Sequence, residues 1–128
     1  MKLNMIYGLP FVDAVFSHRG KEITVSNVLI DTGSATTLLS AEIALELGLE
    51  PELTDTIQTM RGVGGKEFVY EKNLDKLTLD SASILEYTIQ IGDMDYGIHI
   101  NAIIGTDFLT NAKIVVDLSE LEIYVKVK

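Results

Sequence analysis

Apolar and polar residues alternate along most of the chain in short runs that end at Gly, Asn or Asp. A period of two is typical of β-strands with one buried face, and turn residues between the runs favour antiparallel hairpins. Three such hairpins are predicted: residues 11–17 with 21–30 around 18–20, residues 74–79 with 85–91 around 80–83, and residues 113–118 with 121–127 around 119–120. The pattern therefore predicts an all-β domain.

Residues 40–51 have helical instead of strand character. Ser40 can cap the first turn, Glu42 places a negative charge near the helix N-terminus, and Gly48 is suited to end the helix. The buried face is predicted to comprise Ile43, Ala44 and Leu47.

A second short helix is predicted directly after Gly105. Thr106 or Asp107 would cap it, since either side chain can accept a hydrogen bond from a first-turn N–H. Phe108 and Leu109 would be its buried residues. The chain is thus predicted to hold one or two short helices among many strands.

Length and composition fit a single domain spanning residues 1–128. Hydrophobic residues make up 47% of the sequence, which is enough to bury one core at this length. The chain has no cysteine. This excludes disulfides, thiolate metal sites and a thiol nucleophile, and it favours a reducing, cytoplasmic location.

Charge and hydropathy argue against two classes of partner. The formal net charge is −9, with 10 Lys and Arg against 19 Asp and Glu, whereas phosphate backbones are bound by basic patches. No apolar run approaches the ~18 residues of a membrane span, and the first residues lack the pattern of a signal peptide. We therefore expect no nucleic-acid partner and no membrane partner.

Two segments of the chain repeat one pattern. VSNVLIDTGS, residues 25–34, and HINAIIGTDF, residues 99–108, each contain Asn, then apolar residues, then a turn with Gly and Thr. A glycine at the end of a buried strand lets another backbone pass very close. The two strands are predicted to be central neighbours, related by pseudo-symmetry, behind Asp31.

A glycine-rich turn lies between the repeated segments. Two strand-like arms, residues 55–61 and 66–70, are joined by Gly62, Val63, Gly64 and Gly65. Three glycines in four residues give the tip a conformational freedom that a simple hairpin turn does not need. A mobile flap over a groove is the functional interpretation, and a loose surface hairpin is the alternative.

Together these motifs resemble the retropepsin-like aspartic proteases, the single-domain, dimeric relatives of retroviral protease. VLIDTGS is similar to the catalytic loop of that family, GVGG to its flap tip, and NAIIGTDFLT to its hydrophobic-hydrophobic-Gly segment and following helix. The resemblance spans about residues 12 to 118. It implies a closed barrel of antiparallel hairpins, an extended peptide or protein substrate, and no cofactor or metal.

The single Asp-Thr-Gly loop has a consequence for assembly. Peptide hydrolysis in this class uses two adjacent carboxylates, one ionised to deprotonate a water and one protonated to polarise the scissile carbonyl. Because one chain supplies only Asp31, the resemblance implies a homodimer. The two Asp31 carboxylates would face each other and share a proton as a coupled dyad.

The resemblance also implies supporting roles. Thr32 would hydrogen-bond across the dimer, Gly33 would let the substrate backbone approach, and Ser34 could donate a hydrogen bond to Asp31. The flap residues would close over the peptide and exclude water. The apolar segment behind the catalytic loop would comprise Ile103, Ile104 and Gly105.

At two positions the chain departs from the viral enzymes, which pair an acidic residue after the catalytic loop with an arginine after the later glycine. Here Ala35 and Thr106 occupy these places. Since both charges are absent together, no unpaired charge is left buried. A different brace for the dimer is expected.

Two other functions stay open from sequence alone. A catalytically silent module of the same fold could bind extended peptide or simply dimerise. A cation-dependent regulator could use Asp93 and Asp95, although acidic residues beside glycines more often form a solvated turn. His18 and His99 lack metal or triad spacing and are interpreted as structural or exposed.

Overall fold

The computed structural model describes residues 1–62, 65–94 and 97–127, with the side chains of residues 58–62 and 65–68 left undescribed. Ten strands and two short helices lie in these ranges. The strands are β1 (Asn4–Ile6), β2 (Leu9–His18), β3 (Lys21–Ile30), β4 (Leu38–Ser40), β5 (Ile57–Gly62), β6 (Gly65–Leu79), β7 (Ala82–Gly92), β8 (Ala102–Ile104), β9 (Ile114–Asp117) and β10 (Glu122–Val125). The helices are α1 (Ala41–Glu46) and α2 (Thr106–Asn111).

Eight strands form one sheet in the order β1-β2-β3-β8-β4-β7-β6-β5, and an additional pairing of β2 with β6 closes its middle six strands into a barrel. A closed barrel has no free edge among its own strands. Most neighbours are antiparallel, but β3 pairs with β8, and β4 with β7, in parallel. The predicted all-β class with a closed barrel is confirmed.

The three predicted hairpins are present as β2–β3, β6–β7 and β9–β10. Between β2 and β3 the two turn residues, Arg19 and Gly20, both have positive φ, 48° and 79°, as a two-residue hairpin turn with the twist of its strands requires. Boundaries differ from prediction in β6 and β7. Strand β7 begins at Ala82, inside the predicted turn of residues 80–83. Residues 66–70 and 74–79 belong to a single strand, β6, because the polar residues between them also pair with β7.

Helix α1 is formed as predicted. The Ser40 hydroxyl accepts a hydrogen bond from the Ile43 N–H at 3.3 Å, Ala44 is fully buried, and Gly48 follows the helix with a φ of 79°. Serine at the N-cap and a left-handed glycine after the last turn satisfy backbone groups that the helix leaves unpaired.

Helix α2 is also present, with Phe108 and Leu109 buried, but its predicted cap is wrong. Gly105 is the N-cap residue and no side chain caps this helix. Thr106 and Asp107 instead direct their side chains to the loop after β3 and to β7. The reason is tertiary, because these partners lie far away in sequence.

Strands β3 and β8 are buried on both faces, since alternate residues of β3 enter different clusters. Val28 and Ile30 belong to the main core inside the barrel. Leu29 and its register partner Ile103 belong to a second cluster on the opposite face. That second cluster comprises Phe11, Leu29, Leu38, Val69, Met94, Ile100 and Ile103. The pair therefore forms a firmly held centre, as predicted from the repeated pattern.

Candidate functional site

Asp31 is the first residue beyond the buried strand β3. Ile30 is buried, and the parallel pairing with β8 continues one step further because the Asp31 N–H donates to the Ile104 carbonyl at 3.0 Å. The Asp31 side chain is half-buried, while Thr32 and Gly33 are exposed. Strands β3 and β8 thus hold one carboxylate at the surface, directly beyond the buried core.

The loop after Asp31 folds back on the carboxylate. The Gly33 N–H donates to Asp31 Oδ1 at 2.9 Å, and the Ser34 N–H donates to the Asp31 carbonyl at 3.1 Å. A backbone N–H aimed at a carboxylate oxygen orients it without needing another side chain. A Cβ at Gly33 would lie 3.2 Å from the same oxygen, so the glycine leaves room beside the carboxylate.

Ser34 has a different acceptor from the one expected. Its hydroxyl donates to the Thr36 carbonyl at 2.7 Å, so the expected donation to Asp31 is corrected here. Serine commonly bonds to nearby backbone in this way and closes a local turn. Ser34 therefore shapes the loop, and the Asp31 carboxylate is oriented by the Gly33 N–H.

Gly105 is the point at which the loop and the second repeat touch. A Cβ at this residue would lie 2.3 Å from the Thr36 carbonyl oxygen and 2.6 Å from the Ser34 carbonyl oxygen. Both distances are far inside van der Waals contact, and both neighbours are backbone. The close backbone approach predicted for this glycine is present.

Thr106, at the position of the viral arginine, holds the loop with neutral donors. Its N–H and its hydroxyl both donate to the Ser34 carbonyl, at 2.8 and 3.2 Å. Ala35, at the position of the viral acidic residue, is exposed. Thr106 thus holds the loop by two hydrogen bonds to one carbonyl, and no ion pair joins positions 35 and 106.

Sequence reasoning missed a buried polar group behind the loop. The Thr37 hydroxyl donates to Asp107 Oδ1 at 2.9 Å, and the Tyr87 hydroxyl donates to Asp107 Oδ2 at 2.6 Å. Thr37 is completely buried and Tyr87 nearly so. Burial, followed by the hydrogen bond and charge of Asp107, raises the pKa of Tyr87 far above its usual value, so this phenol stays a donor.

The glycine-rich hairpin is present as β5 and β6, with register from Ile57 opposite Tyr70 to Gly62 opposite Gly65. Val63 and Gly64, the centre of the predicted flap tip, lie outside the described residues. The same strand β6 continues into the barrel, where it pairs with β7 and β2. The hairpin is therefore an extension of a barrel strand.

An ion pair fastens the base of this hairpin. Lys72 Nζ lies 3.0 Å from Asp55 Oδ1 and 3.1 Å from Glu52 Oε1, and the Lys72 and Asp55 side chains are each 11% exposed. Burial raises the pKa of Asp55, but the Glu52 N–H and Lys72 outweigh it and leave that pKa below the usual value. Burial lowers the pKa of Lys72, and its two carboxylate partners reverse this and raise it.

The remaining candidates do not join the Asp31 loop. His18 lies 3.6 Å from Asp75, and His99 is 2.8 Å from the Asn101 side chain. Asp93 is exposed and Asp95 lies outside the described residues. Within residues 1–62, 65–94 and 97–127, no group of three or more His, Asp or Glu side chains is arranged to hold a metal ion. In the same part of the chain, both helices are too short to cross a membrane.

Comparison with known proteins places these features in a family. Residues 20–111, more than two thirds of the chain, match the family described as "gag-polyprotein putative aspartyl protease". Among curated proteins no sequence matches significantly. Among solved structures, the chain is similar to the crystal structure of a retropepsin-like aspartic protease from Rickettsia conorii, with a TM-score of 0.69 and 18% identity over 96% of this chain and 87% of that one. At this identity the likeness concerns the fold, and it confirms the predicted retropepsin-like architecture.

Proposed function

The chain belongs to the retropepsin-like aspartyl proteases, and from this premise we propose that it is an aspartic endopeptidase whose active form is a homodimer. Each subunit would contribute one Asp31 to a carboxylate dyad. The membership and the peptidase class agree with the sequence prediction. The dyad and the dimer are the part that we propose.

The observation that carries the proposal is the presentation of Asp31. Its carboxylate stands at the end of a strand pair buried on both faces, is oriented by the Gly33 N–H, and is flanked by exposed Thr32 and Gly33. A second copy can therefore approach this loop without displacing the core. A symmetric contact of the loop with itself would bring two carboxylates together from one sequence.

The chemistry follows from two carboxylates at close range. Like charges a few ångströms apart do not both ionise readily, so the pair holds one proton between them. The ionised member would take a proton from a water as it attacks the scissile carbonyl, and the protonated member would donate to the carbonyl oxygen. The proton taken from the water would then pass to the leaving nitrogen as the C–N bond breaks, and the former carbonyl oxygen would return its proton to the other carboxylate, which restores the dyad. All of these steps use the two copies of Asp31 and one water.

The substrate proposed is an extended peptide. Extended chains bind by adding backbone hydrogen bonds beside strands, and a hairpin that closes over them excludes bulk water. In this role Gly62, Val63, Gly64 and Gly65 would form the flap tip. Thr32 would tie the two loops together, and Ile103, Ile104 and Gly105 would support them from behind.

A peptide-library cleavage assay across pH, beside an Asp31→Asn variant, tests the proposal. The substitution keeps size and shape but removes the base and the shared proton, so we expect cleavage to fall by at least about three orders of magnitude while peptide binding survives. Asp13→Asn, on an exposed position of β2, is the control for lost charge and should cleave normally.

Three results would count against the enzyme. Cleavage by Asp31→Asn at the wild-type rate would remove Asp31 from the chemistry. A wild-type dimer that binds peptides but never cleaves them would favour the silent module. A loss of function on chelation that divalent cations restore would favour the cation-dependent regulator.

A further inference from the structure

On the basis of the function proposed above, we propose that Asp107 and Tyr87 are positioning residues for the Asp31 loop, acting through Thr37 and Gly105. Neither side chain is part of the dyad. Each would hold the loop in place from the side opposite the substrate.

The contacts form a continuous chain from β7 to the loop. The Tyr87 hydroxyl donates to Asp107 Oδ2 at 2.6 Å, the Thr37 hydroxyl donates to Asp107 Oδ1 at 2.9 Å, and the Gly105 N–H donates to Thr37 Oγ1 at 3.2 Å. The Tyr87 distance is in the range of a charge-assisted O–H···O⁻ bond. The Tyr87 ring also packs edge-on against Phe108, with centroids 5.6 Å apart.

The loop, residues 31–37, is held at both ends by the segment of residues 104–107. Its first residue, Asp31, is fixed by the Ile104 carbonyl. Its last residue, Thr37, is fixed by Gly105 and Asp107, and the Thr37 carbonyl also accepts the Gln90 N–H at 2.9 Å. Displacement of Thr37 would therefore release one end of the loop and change its position relative to strands β3 and β8.

The carboxylate at position 107 determines the direction of the hydrogen bonds. An ionised carboxylate can only accept, so the Thr37 hydroxyl must donate to it and keeps a lone pair for the Gly105 N–H. An asparagine of the same shape has one acceptor oxygen and one amide donor, so it cannot accept from both hydroxyls. Either the Thr37 or the Tyr87 hydroxyl would lose its acceptor, and the position of Thr37 against Gly105 would be held less firmly.

Burial makes this arrangement difficult to replace with water. Thr37 is 0% exposed and Tyr87 is 9% exposed, and a buried donor that loses its partner bears the full desolvation penalty. Burial and the Asp107 charge raise the pKa of Tyr87. The phenol accordingly stays protonated and donating throughout the neutral range.

The test uses the full chain with Tyr87→Phe, Asp107→Asn and their double variant. Asp117→Asn is the matched control, because Asp117, like Asp107, accepts two hydrogen bonds, here from the Ser119 hydroxyl and the Glu120 N–H in the β9–β10 turn. Two readouts are taken. One is amide hydrogen exchange at Gly105 and Ser34, and the other is the separation of kcat from KM for a cleaved peptide.

We expect Asp107→Asn to speed Gly105 exchange by about tenfold and to lower kcat by about 10- to 100-fold with KM changed less than about twofold, since small misplacement of a reacting group acts on the chemical step. Tyr87→Phe should act in the same direction but less. The double variant should resemble Asp107→Asn alone, because both changes break one network. The control should leave both readouts at wild-type values.

Wild-type exchange in Tyr87→Phe and Asp107→Asn would overturn the positioning role, whether or not the protein cleaves peptides. Faster exchange with unchanged kcat would also overturn it. If Asp107→Asn does not fold, Tyr87→Phe, which removes a single oxygen, decides the question by the same two readouts. A wild type that never cleaves contradicts the proposed function separately. Hydrogen exchange at Gly105 then still tests whether Asp107 and Tyr87 hold the loop.

Discussion

Asn27 and Asn101 each hold the backbone that precedes the other. Asn27 Nδ2 donates to the His99 carbonyl at 3.0 Å, and Asn101 Nδ2 donates to the Ser26 carbonyl at 2.9 Å. The two asparagines occupy equivalent places in the repeated segments. The repeat seen in the sequence is therefore also a reciprocal pair of hydrogen bonds, which sets the register of β3 against β8.

Substitution of Asn27 should separate two contributions to stability. Asn27 has a φ of 53°, a conformation open to glycine but costly for alanine by about 1–2 kcal/mol. Asn27→Gly should lose the side-chain hydrogen bond, about 0.5–1.5 kcal/mol, and the smaller contribution of a more flexible unfolded chain. Asn27→Ala should be less stable than Asn27→Gly in urea denaturation. Equal midpoints for the two variants would show that the positive φ costs alanine no more than chain flexibility costs glycine.

Alanine should destabilise the fold at Gly105 but not at Gly33. At Gly105 the new Cβ would meet the Thr36 carbonyl at 2.3 Å, and backbone atoms have little room to move. We expect Gly105→Ala to lose about 3 kcal/mol or more of unfolding free energy. At Gly33 the close atom among the described residues is a side-chain oxygen, Asp31 Oδ1, at 3.2 Å. Gly33→Ala should stay folded, and thermal denaturation of the two variants side by side tests the contrast.

The pair of Asp55 and Lys72 should make stability depend on pH in a defined direction. The folded state lowers the pKa of Asp55, so the stabilisation is present above the unfolded pKa and is lost as the pH falls through the lower folded value. Since an unperturbed Asp titrates near pH 3.9, the loss should begin below about pH 4. The raised pKa of Lys72 keeps its charge until strongly alkaline pH, where the contribution is lost as well.

Urea denaturation of wild type and Asp55→Asn between pH 2 and pH 8 measures this dependence. The difference in unfolding free energy should be constant at neutral pH and shrink in acid. Asp13→Asn controls for the change in net charge. A difference that grew as the pH fell would contradict the assigned direction.

Assembly should respond to dilution and salt. If Asp31 acts only in a pair, specific activity should fall as the protein is diluted through the dimer dissociation constant. Each chain carries a net charge of −9, so added salt should strengthen association by screening repulsion between copies. Light scattering and activity measured over the same concentrations check both expectations. Full activity in a strictly monomeric sample would exclude the dyad.

The elements that could be predicted from sequence are those whose determinants are close neighbours in the chain. The β2–β3 turn has its positive-φ residues at Arg19 and Gly20, and α1 has its cap at Ser40. Likewise, the repeated pattern of residues 25–34 and 99–108 predicts that β3 and β8 are neighbours. Strand β4 was not predicted. It has three residues, too few to show a period, and its pairing is provided by β7 and β8.

The network behind the loop could not be predicted for the same reason. The local pattern predicts Thr106 or Asp107 as a helix cap, which is the common role of such residues at the start of a helix. Its actual partners, Thr37 and Tyr87, are 70 and 20 residues away in sequence. A local pattern carries no information on such contacts.

The place of Gly105 bears on how this protein can change by mutation. Asp31 and Gly105 stand at the same position of the two repeats, four residues after Asn27 and Asn101, yet a side chain at Gly105 would collide with the Thr36 and Ser34 carbonyls. The chain therefore cannot acquire a second aspartate at the matching position of its own repeat. For the proposed enzyme, one codon specifies both carboxylates, so a single mutation at residue 31 alters the two halves of the dyad together and neither half can diverge alone.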